Sequence, residues 1–371
     1  MGIGAIILTY AICFVPITII FAVMPYIGRR TLTFGVSIPS GMHDDERLRK
    51  LRKAFSRNVV IMGILMSIIS FLLFIFLDSA LAVGLMSGMV LLYIALISII
   101  YIRAFKEVKQ RKYEQGWAAD AQIVNVADTK FSASKRSVSA LWFLIYIVII
   151  VGTLLLGVLM YDQIPSEVVM QTDLDGNVTR IAAKSVSLIL FAPAIQAVMA
   201  LLMGFIFWMM QRTPPVIDPE QQEVSSAQNT KFRYRWSAFV VFMGMAMLLI
   251  FLSMQLTFIG IMSQSLALWL PLSVAGAIVI AAIVLSIKTG QSGNRISLGK
   301  TTDGKTIRRE DDKYWKYGAF YVNKQDPALF VEKRFGVGFT INFGKPAAIA
   351  ILVGILAIIA VVVVLSFVLV K

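Results

Sequence analysis

Three carboxylates in one short polar segment form the best candidate binding site in the chain. Glu167, Asp173 and Asp175 lie between two apolar runs that are long enough to span a membrane, and Gln171 and Lys184 share the segment. Such a group offers two kinds of chemistry, which are ligation of a divalent cation and attraction of a cationic ligand.

The spacing of the acidic residues argues against calcium. An EF-hand loop with Asp175 and Gly176 at its fifth and sixth positions requires an Asp and a Glu where the chain has Gln171 and Ala182. A weak divalent site formed by the three carboxylates remains an alternative. The Asp-Gly dipeptide is explained by a hairpin turn alone, so we expect a ligand-binding loop without a metal.

Residues for catalytic chemistry are scarce. His43 is the only histidine and Cys13 the only cysteine, which removes most metal and triad chemistry and excludes an HExxH motif, a zinc knuckle and an intrachain disulfide. No charged residue lies near the middle of an apolar run, where a proton relay needs one. We therefore expect a protein that is not an enzyme and uses no cofactor.

Two glutamines, Gln196 and Gln255, are the main polar candidates inside the apolar runs. They either line a polar pathway through the membrane or form hydrogen bonds between helices. The second interpretation is the simpler one.

Apolar runs of about 20 residues recur along the chain, which is the length that spans a bilayer as a helix. We predict an all-α integral membrane protein with eight spans, listed here by their approximate bounds: Gly2–Ile27, Asn58–Leu77, Ser79–Arg103, Ala140–Tyr161, Ser185–Met210, Trp236–Gly260, Gln264–Ile287 and Pro346–Val370. The resulting segments are 1–139 (three spans), 140–210 (helix, hairpin, helix), 211–287 (a linker over 211–235, then two spans), 288–345 (a cytoplasmic module) and 346–371 (the last span).

The formal net charge of +14 comes from Lys and Arg that occupy alternate loops. This asymmetry follows the positive-inside rule and does not indicate a nucleic-acid surface. It places both termini outside a bacterial cytoplasmic membrane, with the acidic segment on the outer face. The basic run over 47–57 is either an interfacial helix that binds anionic lipid or a cytoplasmic extension of the second span, and the extension is favoured.

Two short β structures are predicted beside the helices. Pro165 opens a hairpin between spans four and five, and Gly176 supplies its turn. The second structure is a small β-containing module before span eight, too short to build much core alone. Its residues Trp315, Tyr321 and Arg334 are the candidates for contact with a partner or with the membrane surface.

The hairpin resembles the outer loop of a bacterial multipass family related to SdpI-type immunity proteins. Ile164-Pro165, Gly176 and Lys184-Ser185 match the Leu-Pro, Gly and Lys-Ser of that loop. The residues at positions 169 and 171 are Val and Gln, where the family has Pro and His, so a role that depends on the histidine does not carry over.

Two further segments, 34–39 and 312–344, resemble stretches that accompany this domain in Gram-positive members. The resemblance implies a non-enzymatic membrane protein. In its relatives such a protein protects the cell from an envelope-active peptide and sequesters a cytoplasmic repressor.

Two functional hypotheses follow. The first is an immunity or sensor protein that meets an antimicrobial peptide or envelope precursor outside and a cytoplasmic regulator inside. The second is a transporter or flippase-like carrier built from spans four to seven around the two glutamines. An assembly factor without a ligand is a third alternative, the lipid bilayer is a partner in every case, and a homo-oligomer remains open.

Overall fold

The computed structural model describes residues 3–77, 79–117, 137–172, 178–216, 222–297 and 311–368. Helices dominate this part of the chain. Their bounds are α1 (Ile3–Ile27), α2 (Glu46–Phe76), α3 (Ser79–Glu114), α4 (Phe143–Leu159), α5 (Val186–Arg212), α6 (Gln222–Phe258), α7 (Gln264–Thr289) and α8 (Pro346–Val368).

Seven of the described helices are long and apolar enough to cross a membrane. They fit the predicted multipass membrane protein. The apolar part of α1 whose side chains are described, Cys13–Ile27, is shorter than that length, and the total of eight spans stays a prediction.

In the described ranges, four two-stranded antiparallel sheets lie between the helices. The first pairs β1 (Leu32–Thr33) with β2 (Val36–Ser37), and the second pairs β3 (Glu167–Thr172) with β4 (Val178–Ala183). The others are β5 (Trp315–Lys316) with β6 (Phe320–Tyr321), and β7 (Phe330–Glu332) with β8 (Phe339–Ile341). The short β structures predicted between spans four and five and before span eight are therefore present, and their positions outside and inside the cell stay predictions.

Several helices continue beyond their apolar portions. The basic run over 47–57 belongs to α2, which Asp45 caps by accepting hydrogen bonds from the backbone of Arg47 and Leu48. The structure thus has the extension of the second span and not a separate interfacial helix. With 36 and 37 residues, α3 and α6 are each about 54 Å long, well above the roughly 30 Å of a hydrocarbon core.

The prediction of a flexible linker over 211–235 was wrong for its second half, because α6 already begins at Gln222. The reason is that the polar start of α6 packs against other elements. Phe232 and Arg233 are buried there, and Trp236 donates a 3.2 Å hydrogen bond to the Thr289 hydroxyl at the end of α7.

Three apolar clusters form the interior. The first joins α1, α2 and α3 around residues such as Phe55 and Tyr101. The second lies where the β3–β4 hairpin meets α4, α5 and α6. The third lies among α4, α5 and α6, and Phe339 of β8 packs against it.

Candidate functional site

The β3–β4 hairpin is packed onto the ends of three helices. Ile164, Val168 and Ala182 turn inward and are buried with Leu188 of α5 and Phe258 of α6. This alternation of inward and outward side chains is expected for a hairpin with one covered face. The hairpin therefore has an apolar floor and an open outer face.

The outer face carries part of the predicted ligand-binding set. Glu167 is exposed at the start of β3, and Pro165 is exposed just before it. Gln171 stands opposite Arg180 in the strand register, but its side chain is not among those described. The turn residues Asp173, Asp175 and Gly176 lie outside the described residues, so their grouping stays a prediction.

Lys184 is directed back to the end of α4. Its ammonium lies 4.7 Å from the ring centroid of Tyr161 and 3.4 Å from the carbonyl oxygen of Asp162. The adjacent Ser185 caps α5 by accepting a hydrogen bond from the backbone of Leu188. Lys184-Ser185 therefore fixes the junction between the hairpin and the two helices.

Both predicted intramembrane glutamines lie at the α4–α5–α6 interface and are fully buried. Gln196 donates hydrogen bonds to the Thr153 hydroxyl at 3.0 Å and to the carbonyl oxygen of Leu248 at 2.8 Å. This is the interhelical bonding that was the simpler interpretation.

Gln255 has a different environment. Among the described residues its amide has no hydrogen-bond partner, and the same holds for the Oε1 atom of Gln196. Gly157 gives Gln255 its space, because a Cβ at Gly157 would lie 2.4 Å from Nε2 of Gln255.

At the opposite end of α6, a buried carboxylate ties four parts of the chain together. Glu332 of β7 accepts a 2.8 Å hydrogen bond from Asn229 and forms ion pairs with Arg233 and with Arg29, which follows α1. Ser292, after α7, donates to the same carboxylate. A buried charge requires such partners, since an unpaired one is very costly.

A second carboxylate, Asp312, lies near α3 and the β1–β2 turn. It pairs with Lys112 at 2.7 Å and with Arg334, and the Ser37 hydroxyl donates to it at 2.8 Å. Burial alone would raise the pKa of Asp312, but Arg334 and Lys112 outweigh that effect and lower it. The carboxylate is thus held in its charged form.

The three predicted contact residues of the C-terminal module (residues 311–345) are all buried. Arg334 pairs with Asp311 and Asp312 and lies 5.1 Å from the ring centroid of Trp315. Burial, together with the hydrogen bond that its hydroxyl donates to Asp326, raises the pKa of Tyr321 to about 12. Their side chains hold the module together, and whether they also meet a partner stays a prediction.

Two tight turns meet backbone to backbone beside these ion pairs. A Cβ added to Gly35 would lie 2.3 Å from the carbonyl oxygen of Gly318. The Tyr101 hydroxyl lies within hydrogen-bond distance of the carbonyl oxygens of both Phe34 (3.2 Å) and Tyr317 (3.0 Å). The two segments that carry the sequence resemblance outside the hairpin are therefore in direct contact.

Sequence reasoning missed the ion-pair residues Glu332 and Lys112 and the hydrogen-bonding residue Asn229. Each is a common polar residue in a polar stretch, and no spacing rule links it to its partners. The available signal was the charge composition, because a few carboxylates within a strongly basic segment are expected to form ion pairs with their neighbours.

Two segments match known family models. Residues 148–197, which cover most of α4, the hairpin and the first part of α5, match a domain of unknown function, DUF1648. Residues 324–349, with Glu332 and Arg334, match a family of unknown function, DUF5808. No curated protein and no solved structure matches the chain.

Proposed function

We propose that this chain is a membrane sensor of the immunity type. In this proposal the β3–β4 hairpin receives an envelope-active peptide or an envelope component outside the cell, and the C-terminal module passes the bound state to a cytoplasmic partner. The resemblance of Ile164-Pro165, Gly176 and Lys184-Ser185 to the outer loop of SdpI-type immunity proteins supports this assignment.

The observation that carries the proposal is the position of α6. Phe258, at one end of this helix, packs in the floor of the hairpin. Asn229 and Arg233, near the other end, contact Glu332 of the module. Arg233 and Phe258 are about 37 Å apart along the helix, so one continuous element connects the two surfaces across the membrane.

Charge distribution supports the orientation. Exposed basic residues such as Arg47, Lys53 and Lys109 surround the module end of the bundle, which is the cytoplasmic side under the positive-inside rule. Glu167 lies at the other end. A cationic peptide would be drawn to such an acidic cap over about 10 Å, the distance at which salt screens the attraction.

A carrier is the second candidate, and Gln255 favours it. A buried amide without partners among the described residues fits a polar pathway between α4, α5 and α6. Against a continuous pathway, Gln196 is already bonded to Thr153 and Leu248, which closes the interface at that level.

Crosslinking in living cells tests the sensor proposal. A photoreactive residue replaces Thr172 in the hairpin or, in a separate strain, Gln325 in the module, since Tyr321 is buried and Gln325 is exposed. We expect a peptide to be captured from position 172 and a cytoplasmic protein from position 325. Capture of lipid or envelope precursor at 172, with no protein at 325, would favour the carrier.

A further inference from the structure

Two exposed aromatic residues distinguish the β5–β6 hairpin from the rest of the module. Tyr317, in the turn, and Phe320, in β6, are each 53% exposed, whereas Trp315 and Tyr321 beside them are buried. Tyr317 also has a φ of +52°, a left-handed conformation that Gly and Asn adopt more readily. The fold by itself therefore favours Asn or Gly at position 317, and a tyrosine there needs another reason.

The two rings lie beside the points where apolar helices meet their polar flanks. Arg103 is the first charged residue after the apolar run of α3, and the Tyr317 ring is 6.4 Å from that of Phe105, about 3 Å past Arg103 along the helix. The ring of Phe320 is 5.8 Å from that of Phe343, which shortly precedes the start of α8. A headgroup layer is about 5–7 Å thick on each side of the hydrocarbon, so rings this close to the ends of the apolar runs are within reach of it.

The surface around the rings is cationic. Lys316 pairs with Phe320 across the hairpin and is exposed. Lys109 is also exposed, and its ammonium lies 5.9 Å from the ring centroid of Phe105. The neighbouring Asp311 and Asp312 point inward to Arg334, so their charge does not offset that of the lysines.

We propose that Tyr317, Phe320, Lys109 and Lys316 form a docking surface for anionic phospholipid headgroups. Aromatic rings are favoured in the interfacial layer. Each lysine near an anionic surface contributes about as much binding free energy as one strong surface ion pair. The surface ties the module to the cytoplasmic leaflet and does not depend on the proposed sensor function.

Amide hydrogen exchange tests this surface. The full chain is placed in nanodiscs of phosphatidylcholine, with or without phosphatidylglycerol, and exchange is followed over residues 312–323. We expect phosphatidylglycerol to slow exchange about thirtyfold, as two lysines at an anionic surface imply.

Two tyrosine variants separate lipid contact from folding. Tyr317→Asn removes the ring but suits the positive φ, so we expect the melting temperature in detergent to be kept or raised while protection of residues 312–323 falls in both kinds of nanodisc. Lys109→Gln combined with Lys316→Gln keeps both rings, and we expect this double variant to lose the effect of phosphatidylglycerol. Tyr113→Asn is the matched control. Tyr113 is 68% exposed on α3 but lies about 15 Å past Arg103, beyond the headgroups, and we expect the lipid effect to remain.

Three results would overturn the proposal. One is equal exchange in the two kinds of nanodisc. Another is an effect of phosphatidylglycerol that survives the double lysine variant. The third is protection that polyglutamate produces in detergent as strongly as phosphatidylglycerol does in nanodiscs, since this would assign the surface to an acidic protein segment.

Discussion

The carboxylate of Asp312 accepts a 2.8 Å hydrogen bond from the Ser37 hydroxyl, although 275 residues separate the two in sequence. Lys112 of α3 donates to both residues, at 2.9 Å to Ser37 and at 2.7 Å to Asp312. The start of the C-terminal module is thereby fixed to the β1–β2 turn and to α3. Glu332 makes the corresponding connection to α6 and to the ends of α1 and α7.

Replacing Asp312 by Asn should release the module from the first three helices. The change leaves the buried cations Lys112 and Arg334 without their shared carboxylate. Loss of one partner of a buried pair costs about 3 kcal/mol, and thermal unfolding in detergent measures it. Glu46→Gln is the control, because its pair with Lys50 is exposed and contributes under about 0.5 kcal/mol. Equal effects of the two variants would contradict the assigned role of Asp312.

Acidification should loosen the same contact. The pKa of Asp312 is lowered from its ordinary value of 3.8, so its contribution to stability is present above about pH 4 and is lost as the pH falls through the lower folded-state pKa. We expect unfolding temperatures measured from about pH 6 down to about pH 2 to fall less steeply for Asp312→Asn than for the native chain. Parallel curves would show that Asp312 does not titrate as described.

The Gly35 to Gly318 contact predicts a large effect of one methyl group. Gly35→Ala brings its Cβ to 2.3 Å from the Gly318 carbonyl oxygen and also imposes a left-handed conformation on an alanine. Gly260→Ala, at a similar φ of +84°, carries only the second cost, about 1 kcal/mol, because no atom lies within 4 Å of its added Cβ. We expect Gly35→Ala to reduce the folded yield far more than Gly260→Ala. Similar yields would mean that the two turns are not in contact.

Removing the amide of Gln196 and removing that of Gln255 should have different effects on the stability of the chain. Gln196→Leu loses two interhelical hydrogen bonds and should cost about 1 kcal/mol. Gln255→Leu removes an amide that has no partner among the described residues, and such a change is neutral or stabilising. Unfolding in detergent compares them. A larger loss for Gln255→Leu would contradict this account, because it would show that the amide is bonded in the folded protein.

The helices and the hairpin could be predicted from the sequence because their signals are local. Runs of apolar residues indicate spans, and the β-favouring strands on either side of Asp175-Gly176 indicate the paired strands β3 and β4. The extension of α2 through the basic run over 47–57 was the favoured interpretation, but the polar ends of α3 and α6 could not be predicted, because polar residues continue these helices only where tertiary partners bind them, as Glu332 binds Arg233 of α6. The buried ion pairs join residues far apart in sequence, and no periodicity reveals such pairs.

The buried state of Trp315, Tyr321 and Arg334 illustrates the same limit. Aromatic and basic residues in a short soluble segment indicate a surface for a partner, yet Arg334 is neutralised by Asp311 and Asp312 and covers the Trp315 ring. Which aromatic residues face outward depends on the strand register, and that register is set by the two-residue strands β5 and β6.

Protection of living cells is the most direct test of ligand recognition by the hairpin. Cells that express the native chain, or a triple variant with Glu167→Gln, Asp173→Asn and Asp175→Asn, are exposed to a synthetic amphipathic peptide of Lys and Leu. Glu114→Gln, an exposed carboxylate on α3 at the other end of the bundle, is the control, and membrane levels are matched.

We expect the native chain and the control to protect equally and the triple variant to need about tenfold less peptide for killing, as the loss of three surface charge pairs implies. Full protection by the triple variant at a matched membrane level would contradict recognition of a cationic peptide by these carboxylates.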